Sequence, residues 1–151
     1  PVADEFIRPL HSLETIYAIM GSGVTSVSCT STESAESFTL VWSDGRVGTY
    51  RGIKSGAVKY SATVFGDKGV STAGVYGHGM PVQGVVPTKD KYMGYEGIAI
   101  EMAKFFKGGP VPVTPAETLE VFTFMEAAHE SKRRGGESVK LADVLKSVSK
   151  N

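Results

Sequence analysis

His11, one of three histidines, is the residue of this sequence best placed for proton transfer. Its place before a run of apolar residues predicts the first turn of a helix, on the side facing away from the apolar stripe. An imidazole there titrates near neutral pH and can pass a proton to a substrate hydroxyl or carbonyl. A solvated histidine at a helix end is the alternative. His11 is therefore the candidate catalytic residue.

Three further polar residues are candidates for substrate binding. His78 stands between two glycines in residues 77–94, a segment with no periodicity in which a ligand could approach the backbone closely. A surface loop without a ligand is the other interpretation of that segment. Arg51 and Lys54 flank the end of a predicted strand and could hold an anionic substrate, or they could be solvated charges at a sheet edge.

Motifs for nucleotides and metals are not recognisable in the sequence. The stretch Gly21-Ser22-Gly23 is nearest to a dinucleotide-binding loop, but it follows a helix pattern and precedes a strand pattern, whereas the motif requires the reverse order. The histidines lack the paired spacing of metal ligands. His129 falls within the apolar arc of its helix, as a hydrogen-bonded or interface histidine does, and Cys29 is interpreted as a small buried strand residue.

The strongest helix signal covers residues 114–136. Thr114 is a favourable N-cap, Pro115 suits the first helical position and Glu117 can complete a capping box. Gly135 and Gly136 predict the end of the helix. Its apolar arc comprises Leu119, Val121, Phe122, Phe124, Met125 and Ala128. Because this arc is wider than one sheet face requires, we expect the helix to be covered on two sides.

The remaining patterns predict further helices and a sheet. Stripes at helical spacing predict helices near residues 10–20, 95–106 and 141–148. Between the first two, alternating residues predict an antiparallel meander of about five strands, whose apolar face carries Phe38, Leu40 and Trp42. Asp44-Gly45 is a hairpin signal within it. This order of elements predicts an α+β fold in two layers.

Composition and charge restrict the partners. Sixteen Lys and Arg balance sixteen Asp and Glu, which argues against nucleic acid and acidic lipid surfaces, since both need a basic surplus. The 151 residues predict one domain, 1–151, and an opening on Pro-Val without Met predicts a segment cut from a longer protein. Because no targeting segment or membrane-length apolar run is recognisable, no membrane partner is expected, and the compartment stays open, with the cytoplasm favoured.

Four segments carry a family resemblance: HSLETIYAIMG, FTLVWSDGRVGTYRGI, VFGDKGV and GYEGIAIEMAKFFKGGPVPVTPAETLEVFTFMEAAHESKRRGG. The run from PAETLE into SKRRGG is the most specific part. From about residue 10 to residue 145, the chain resembles the C-terminal domain of the glucose–fructose oxidoreductase / inositol dehydrogenase (Gfo/Idh/MocA) family. The resemblance implies an open, largely antiparallel sheet with helices on one face, whose open face makes homo-oligomer contacts.

The resemblance also implies a function. The chain would be the substrate-binding and oligomerisation domain of an NAD(P)-dependent oxidoreductase acting on a sugar, polyol or related compound. Its own N-terminal Rossmann domain would bind NAD(P), so this chain alone would bind no cofactor and be inactive. His11 matches the histidine of the family's Asp-x-x-x-His motif, which exchanges a proton with the substrate hydroxyl. Ile7 stands where the family has the Asp.

Two other functions fit the residues. One is a non-catalytic dimerisation or interaction module, which Ile7 favours and His11 disfavours. The other is a stand-alone small-ligand-binding domain with a deep pocket lined by His11 and residues 77–94. A deep pocket would favour the ligand-binding domain, and a flat apolar sheet face in a symmetric dimer would favour the module.

Overall fold

The computed structural model describes residues 2–57, 60–74 and 95–148, with the backbone alone for residues 2–9, 11, 73, 74 and 96. The helices are α1 (Val2–Met20), α2 (Glu96–Phe106), α3 (Pro115–Arg133) and α4 (Leu141–Val148). The strands are β1 (Val24–Ser31), β2 (Ala35–Trp42), β3 (Val47–Ile53), β4 (Ser61–Gly66), β5 (Gly69–Gly74) and β6 (Val139–Lys140).

These elements belong to two compact units. The first comprises Pro1–Ala57 and Val113–Asn151, and the second comprises Val58–Pro112. The first unit contains α1, β1, β2, β3, α3, β6 and α4. The second contains β4, β5 and α2.

The first unit is built on a four-stranded sheet with the order β3-β2-β1-β6. Neighbouring strands are antiparallel throughout. The turn between β2 and β3 forms as predicted, with Asp44 Oδ1 accepting the backbone N–H of Arg46 at 3.1 Å. Gly45 has a φ of 87°, which glycine adopts without steric cost. The fold is therefore α+β with an open, mostly antiparallel sheet, as predicted.

The prediction of one meander of about five strands is wrong. β4 and β5 form a separate two-stranded sheet in the second unit, and the two-residue β6 takes the place beside β1. Alternating polarity predicts that a segment is a strand, but the choice of neighbour depends on contacts that are distant in sequence. The strands that pair locally through short turns were the ones predicted correctly.

One face of this sheet forms the core together with the helices. Phe38, Leu40 and Trp42 of β2 are buried, as predicted. Val27 and Cys29 of β1 are buried beside them, and burial raises the pKa of the Cys29 thiol. The helices complete the same core with Leu13, Tyr17, Val121, Phe124, Met125, Ala127, Ala128 and Leu141.

The helix α1 begins at Val2, well before the predicted start. His11 therefore lies within the helix, and the prediction that it occupies the first turn is wrong. The apolar stripe that begins at Leu10 identified only the later part of the helix, where Leu13 and Tyr17 are buried in the core. The predicted end of the helix near residue 20 is confirmed. Gly21, which follows, has a φ of 72°, and its N–H donates to the carbonyl of Tyr17 at 2.8 Å.

The ends of α3 agree with the sequence. Thr114 Oγ1 accepts the backbone N–H of Glu117 at 3.1 Å, which confirms the N-cap. Gly135 and Gly136 follow the helix with φ values of 71° and 101°. The N–H of Gly136 returns to the carbonyl of Ser131 at 2.8 Å and satisfies one of the last helical carbonyls.

The described part of the chain covers α3 on one side, so the expectation of a second covered side stays a prediction. Phe124 and Met125 are buried against the sheet, whereas Leu119 and Phe122 are each 57% exposed. The helical pattern gives the width of the apolar arc, but not how much of it a neighbouring element reaches.

The other face of the sheet carries mainly hydroxyl side chains. Residues paired across the strands form three rows on this face: Ser26, Val41 and Val47; Ser28, Thr39 and Thr49; and Thr30, Ser37 and Arg51. We call these residues the hydroxyl face. Its polarity contrasts with the apolar face that carries Phe38, Leu40 and Trp42, because successive side chains point to opposite faces.

The described part of the second unit is a hairpin and a helix. β4 and β5 pair antiparallel around a turn at Asp67 and Lys68. The helix α2 ends before Gly108, as predicted, and the φ of that glycine is 89°. Large exposed apolar side chains mark both elements: Phe65, Val70, Ile98, Ile100, Met102, Phe105 and Phe106.

Candidate functional site

The first unit gathers charges around Glu36 at the start of β2. Glu36 Oε1 lies 2.7 Å from Lys54 Nζ and 2.6 Å from Lys132 Nζ. Ser31, opposite Glu36 at the end of β1, donates to the same carboxylate oxygen at 3.1 Å. The Glu36 side chain is only 14% exposed. This Glu36 cluster joins β1 and β2 to the segment after β3 and to the last turn of α3.

The cluster keeps Glu36 ionised. Burial by itself would raise the pKa of Glu36, but hydrogen bonds from Lys132, Lys54 and Ser31 outweigh burial and bring the pKa down to about 2. A carboxylate with so low a pKa is a poor general base at neutral pH. Glu36 is therefore a fixed negative charge that holds two ammonium groups.

A small cavity lies beside the Glu36 cluster. Its volume is about 20 Å³, which is room for about one water molecule. It is lined by Leu13, Glu36, Phe38, Phe124, Met125, Ala128, His129 and Lys132. His129 is half-buried in the apolar arc of α3, where the sequence placed it. The pocket predicted for a stand-alone small-ligand-binding domain is a different one, since its lining by His11 and residues 77–94 lies outside the described side chains.

The two basic residues predicted to bind substrate do not converge. Arg51 is exposed on the hydroxyl face, opposite Ser37 of β2. Lys54 Nζ instead joins the Glu36 cluster, and it also donates to Ser31 Oγ and to the carbonyl of Thr32, both at 3.1 Å. Because an ammonium group has three protons, these contacts and the Glu36 carboxylate engage all of its donors.

The side chains of the two histidines predicted to act on substrate lie outside the described part of the chain. The backbone of His11 belongs to α1, but its side chain is outside the described part, and His78 lies wholly outside the described residues. Proton transfer by His11 and substrate binding by His78 therefore stay predictions.

The turn between α1 and β1 binds a carboxylate of its own chain. The backbone N–H groups of Gly23 and Val24 donate to Glu120 Oε1 at 2.8 and 2.9 Å. Gly23 has a φ of 111°, a conformation that favours glycine and turns these N–H groups toward α3. The stretch nearest to a nucleotide-binding loop thus holds an internal anion.

Tyr17 lies near the same carboxylate. Its hydroxyl is buried and has no hydrogen-bond partner of good geometry among the described residues. Burial, and after it the charge of Glu120, raise the pKa of Tyr17 well above its usual value. Tyr17 therefore stays protonated at neutral pH and is no candidate for a general base.

Ser131 is a buried polar residue that the sequence analysis missed. Its Oγ accepts the backbone N–H of Cys29 at 2.9 Å and donates to the carbonyl of Glu137 at 2.6 Å. A Cβ on Gly136 would lie 3.0 Å from the carbonyl oxygen of Cys29, so this close approach needs glycine. Helical spacing could have predicted its burial, because Ser131 shares the buried helical face of Phe124 and Ala128.

The described residues show neither a metal-binding group nor a membrane-spanning helix. No three side chains of His, Cys, Asp or Glu in that part of the chain are placed to hold a metal ion. None of the helices in residues 2–57, 60–74 and 95–148 is long and apolar enough to cross a bilayer.

Comparisons with protein-family models, with curated proteins and with solved structures found no match to this chain.

Proposed function

We propose that this chain is the substrate-binding and oligomerisation domain of an NAD(P)-dependent oxidoreductase of the Gfo/Idh/MocA type, acting on a sugar, polyol or related compound. The observation that carries the proposal is the open antiparallel sheet, with α1 and α3 packed on one face and the hydroxyl face on the other. It is the architecture that the four resembling sequence segments imply.

In this proposal the nicotinamide is held by another domain. Hydride transfer requires the cofactor beside the substrate, and a dinucleotide needs free backbone N–H groups for its phosphates. The nearest candidate turn in this chain already donates from Gly23 and Val24 to Glu120. That internal contact supports the proposal that another domain binds the cofactor, while this chain supplies the contacts to the substrate and to other subunits.

His11 is the proposed proton-transfer residue. It takes the proton of the substrate hydroxyl as the carbon-bound hydrogen leaves as hydride to the nicotinamide. The core residues Leu13 and Tyr17 anchor α1 within two turns of His11, so its backbone belongs to a fixed element. Ile7, one turn earlier, offers no carboxylate to orient the imidazole, so another group has to do this.

The test uses the full-length polypeptide that contains these residues, as wild type, His11→Ala and the matched control His129→Ala. We expect all three to bind reduced nicotinamide, measured by its fluorescence. Turnover in a screen of sugars and polyols should fall by about 10²–10⁴ in His11→Ala and persist in His129→Ala. Cofactor binding without turnover, or equal turnover in wild type and His11→Ala, would refute the catalytic assignment.

The second candidate is a non-catalytic interaction module. The observation in its favour is that Glu36, Lys54 and Glu120 are engaged in contacts that hold the fold together. This candidate predicts subunit association without cofactor binding. The same titration therefore separates the two functions.

A further inference from the structure

The strand β3 forms an outer edge of the four-stranded sheet in the described part of the chain. The carbonyl of Arg46 accepts the N–H of Trp42 at 2.9 Å, and the N–H of Lys54 donates to the carbonyl of Ser34 at 2.8 Å. Even-numbered positions therefore direct their backbone groups toward β2. Because this direction alternates along a strand, the groups directed to the outer edge are those of Val47, Thr49, Arg51 and Ile53.

This edge has few of the features that usually prevent sheet edges from pairing, which are prolines, charged side chains, bulges and very short strands. The seven residues of β3 include no Pro or Lys and one charged residue, Arg51, and the register with β2 is continuous. The opposite edge differs, since β6 has two residues and α4 follows at once. Within residues 2–57, 60–74 and 95–148, one edge is thus blunted, and no strand pairs with the other.

The sequence of β3 is nearly symmetric about Tyr50. Thr49 and Arg51 flank it, then Gly48 and Gly52, and then Val47 and Ile53. An antiparallel pair of β3 strands with a two-fold axis at Tyr50 places each residue opposite its symmetric counterpart. Val47 then faces Ile53, and Thr49 faces Arg51, so every backbone group directed to the edge has a partner. An axis at Thr49 would instead leave Ile53 opposite the turn residue Gly45.

The helix above this edge supplies an independent observation. Ile16 of α1 faces β3, because its Cγ2 lies 3.8 Å from where a Cβ of Gly48 would be. Ile19 follows three residues later on the same flank of the helix and is 44% exposed. An apolar side chain therefore lies exposed on the side of α1 above β3, where a second copy would cover it.

We propose that two copies of this chain associate through antiparallel pairing of their β3 strands, with the two-fold axis at Tyr50, so that both sheets become one continuous sheet. The partner is a second copy because the strand is complementary to itself in composition and in hydrogen-bonding direction. The contact uses the edge and leaves the hydroxyl face free. It does not depend on the proposed oxidoreductase function.

Sedimentation velocity of the 151-residue chain tests the proposal. The wild type is expected to be a dimer. Thr49→Pro removes an N–H directed to the edge without removing a bond to β2, and prolines are tolerated in that position of an edge strand. This variant is expected to be monomeric, while the matched control Thr49→Ala remains a dimer. Circular dichroism and Trp42 emission establish that the Thr49→Pro variant is folded.

Single added cysteines test the register of the proposed β3–β3 pair. Both variants keep the native Cys29, which is buried. Tyr50→Cys places two thiols opposite each other at a non-hydrogen-bonded pair, with Cα atoms about 4.5 Å apart, and should form an interchain disulfide. Thr49→Cys, which faces Arg51, should not. A monomeric wild type at its highest soluble concentration overturns the proposal. So does a folded, dimeric Thr49→Pro variant, or crosslinking of Thr49→Cys without Tyr50→Cys.

Discussion

Ser131 and Glu120 each supply an acceptor to β1 on the side where its neighbour β6 is only two residues long. Ser131 Oγ accepts the N–H of Cys29, and the Glu120 carboxylate accepts those of Gly23 and Val24. A buried backbone N–H group that is left without an acceptor costs about 1–3 kcal/mol of stability. These side chains of α3 therefore replace the strand that β1 lacks along most of that side.

The pH dependence of stability should report the Glu36 cluster. The pKa of Glu36 is about 2 in the folded chain against an ordinary value of 4.5. Its stabilising effect is therefore complete above about pH 4.5 and is lost as the pH falls toward 2. We expect Glu36→Gln to lower the free energy of unfolding at pH 7 by about 1–2 kcal/mol, after allowing for the partial exposure of the two lysines.

Urea denaturation of wild type and variant at a series of pH values measures this effect. The difference in free energy of unfolding between wild type and Glu36→Gln should decrease as the pH falls. Glu126→Gln, at an exposed ion pair with Arg133, is the matched control and should change stability little. A Glu36→Gln difference that is equal at pH 7 and pH 3 would contradict the assignment.

At the scale of elements, local signals predicted where α3 begins and ends, because Thr114 and Gly135 act on the backbone within one turn. The same sequence did not predict what covers the helix. Nor did it predict the contact between Ser131 and Cys29, 102 positions apart, or between Glu120 and Gly23, 97 positions apart. Such pairs depend on how elements pack, which no periodicity encodes.

Two alanine variants of α3 measure which part of its apolar arc is covered. Phe124 is 1% exposed, so Phe124→Ala should lower the free energy of unfolding by about 3–5 kcal/mol. Phe122 is largely exposed in the described part, so Phe122→Ala should cost less than about 1 kcal/mol. Equal costs in thermal or urea unfolding would mean that a surface outside the described residues covers Phe122.

At the scale of the whole molecule, the buried apolar residues of the described part all lie in the first unit. In the second unit, the large side chains of α2 and of the β4–β5 hairpin are exposed instead. A two-stranded hairpin is at best marginally stable in water by itself. The two units should therefore differ in local stability, although their strands and helices look alike in sequence.

Hydrogen exchange of the whole chain measures this difference. We expect rapid exchange of the amides in β4, β5 and α2, and slow exchange in β2 and α3, because protection follows burial and packing. Trp42, which is 2% exposed, should report only on the first unit. Protection of α2 equal to that of β2 would contradict the difference and indicate a covering surface on that helix.

The run SKRRGG joins α3 to the sheet through Ser131, Lys132 and Gly136. All of these contacts are internal to the first unit. A substitution at Ser131, Lys132 or Gly136 is therefore expected to act on folding and not on the binding of a ligand. A protein that shares this run can share the packing of α3 on the sheet without sharing an activity.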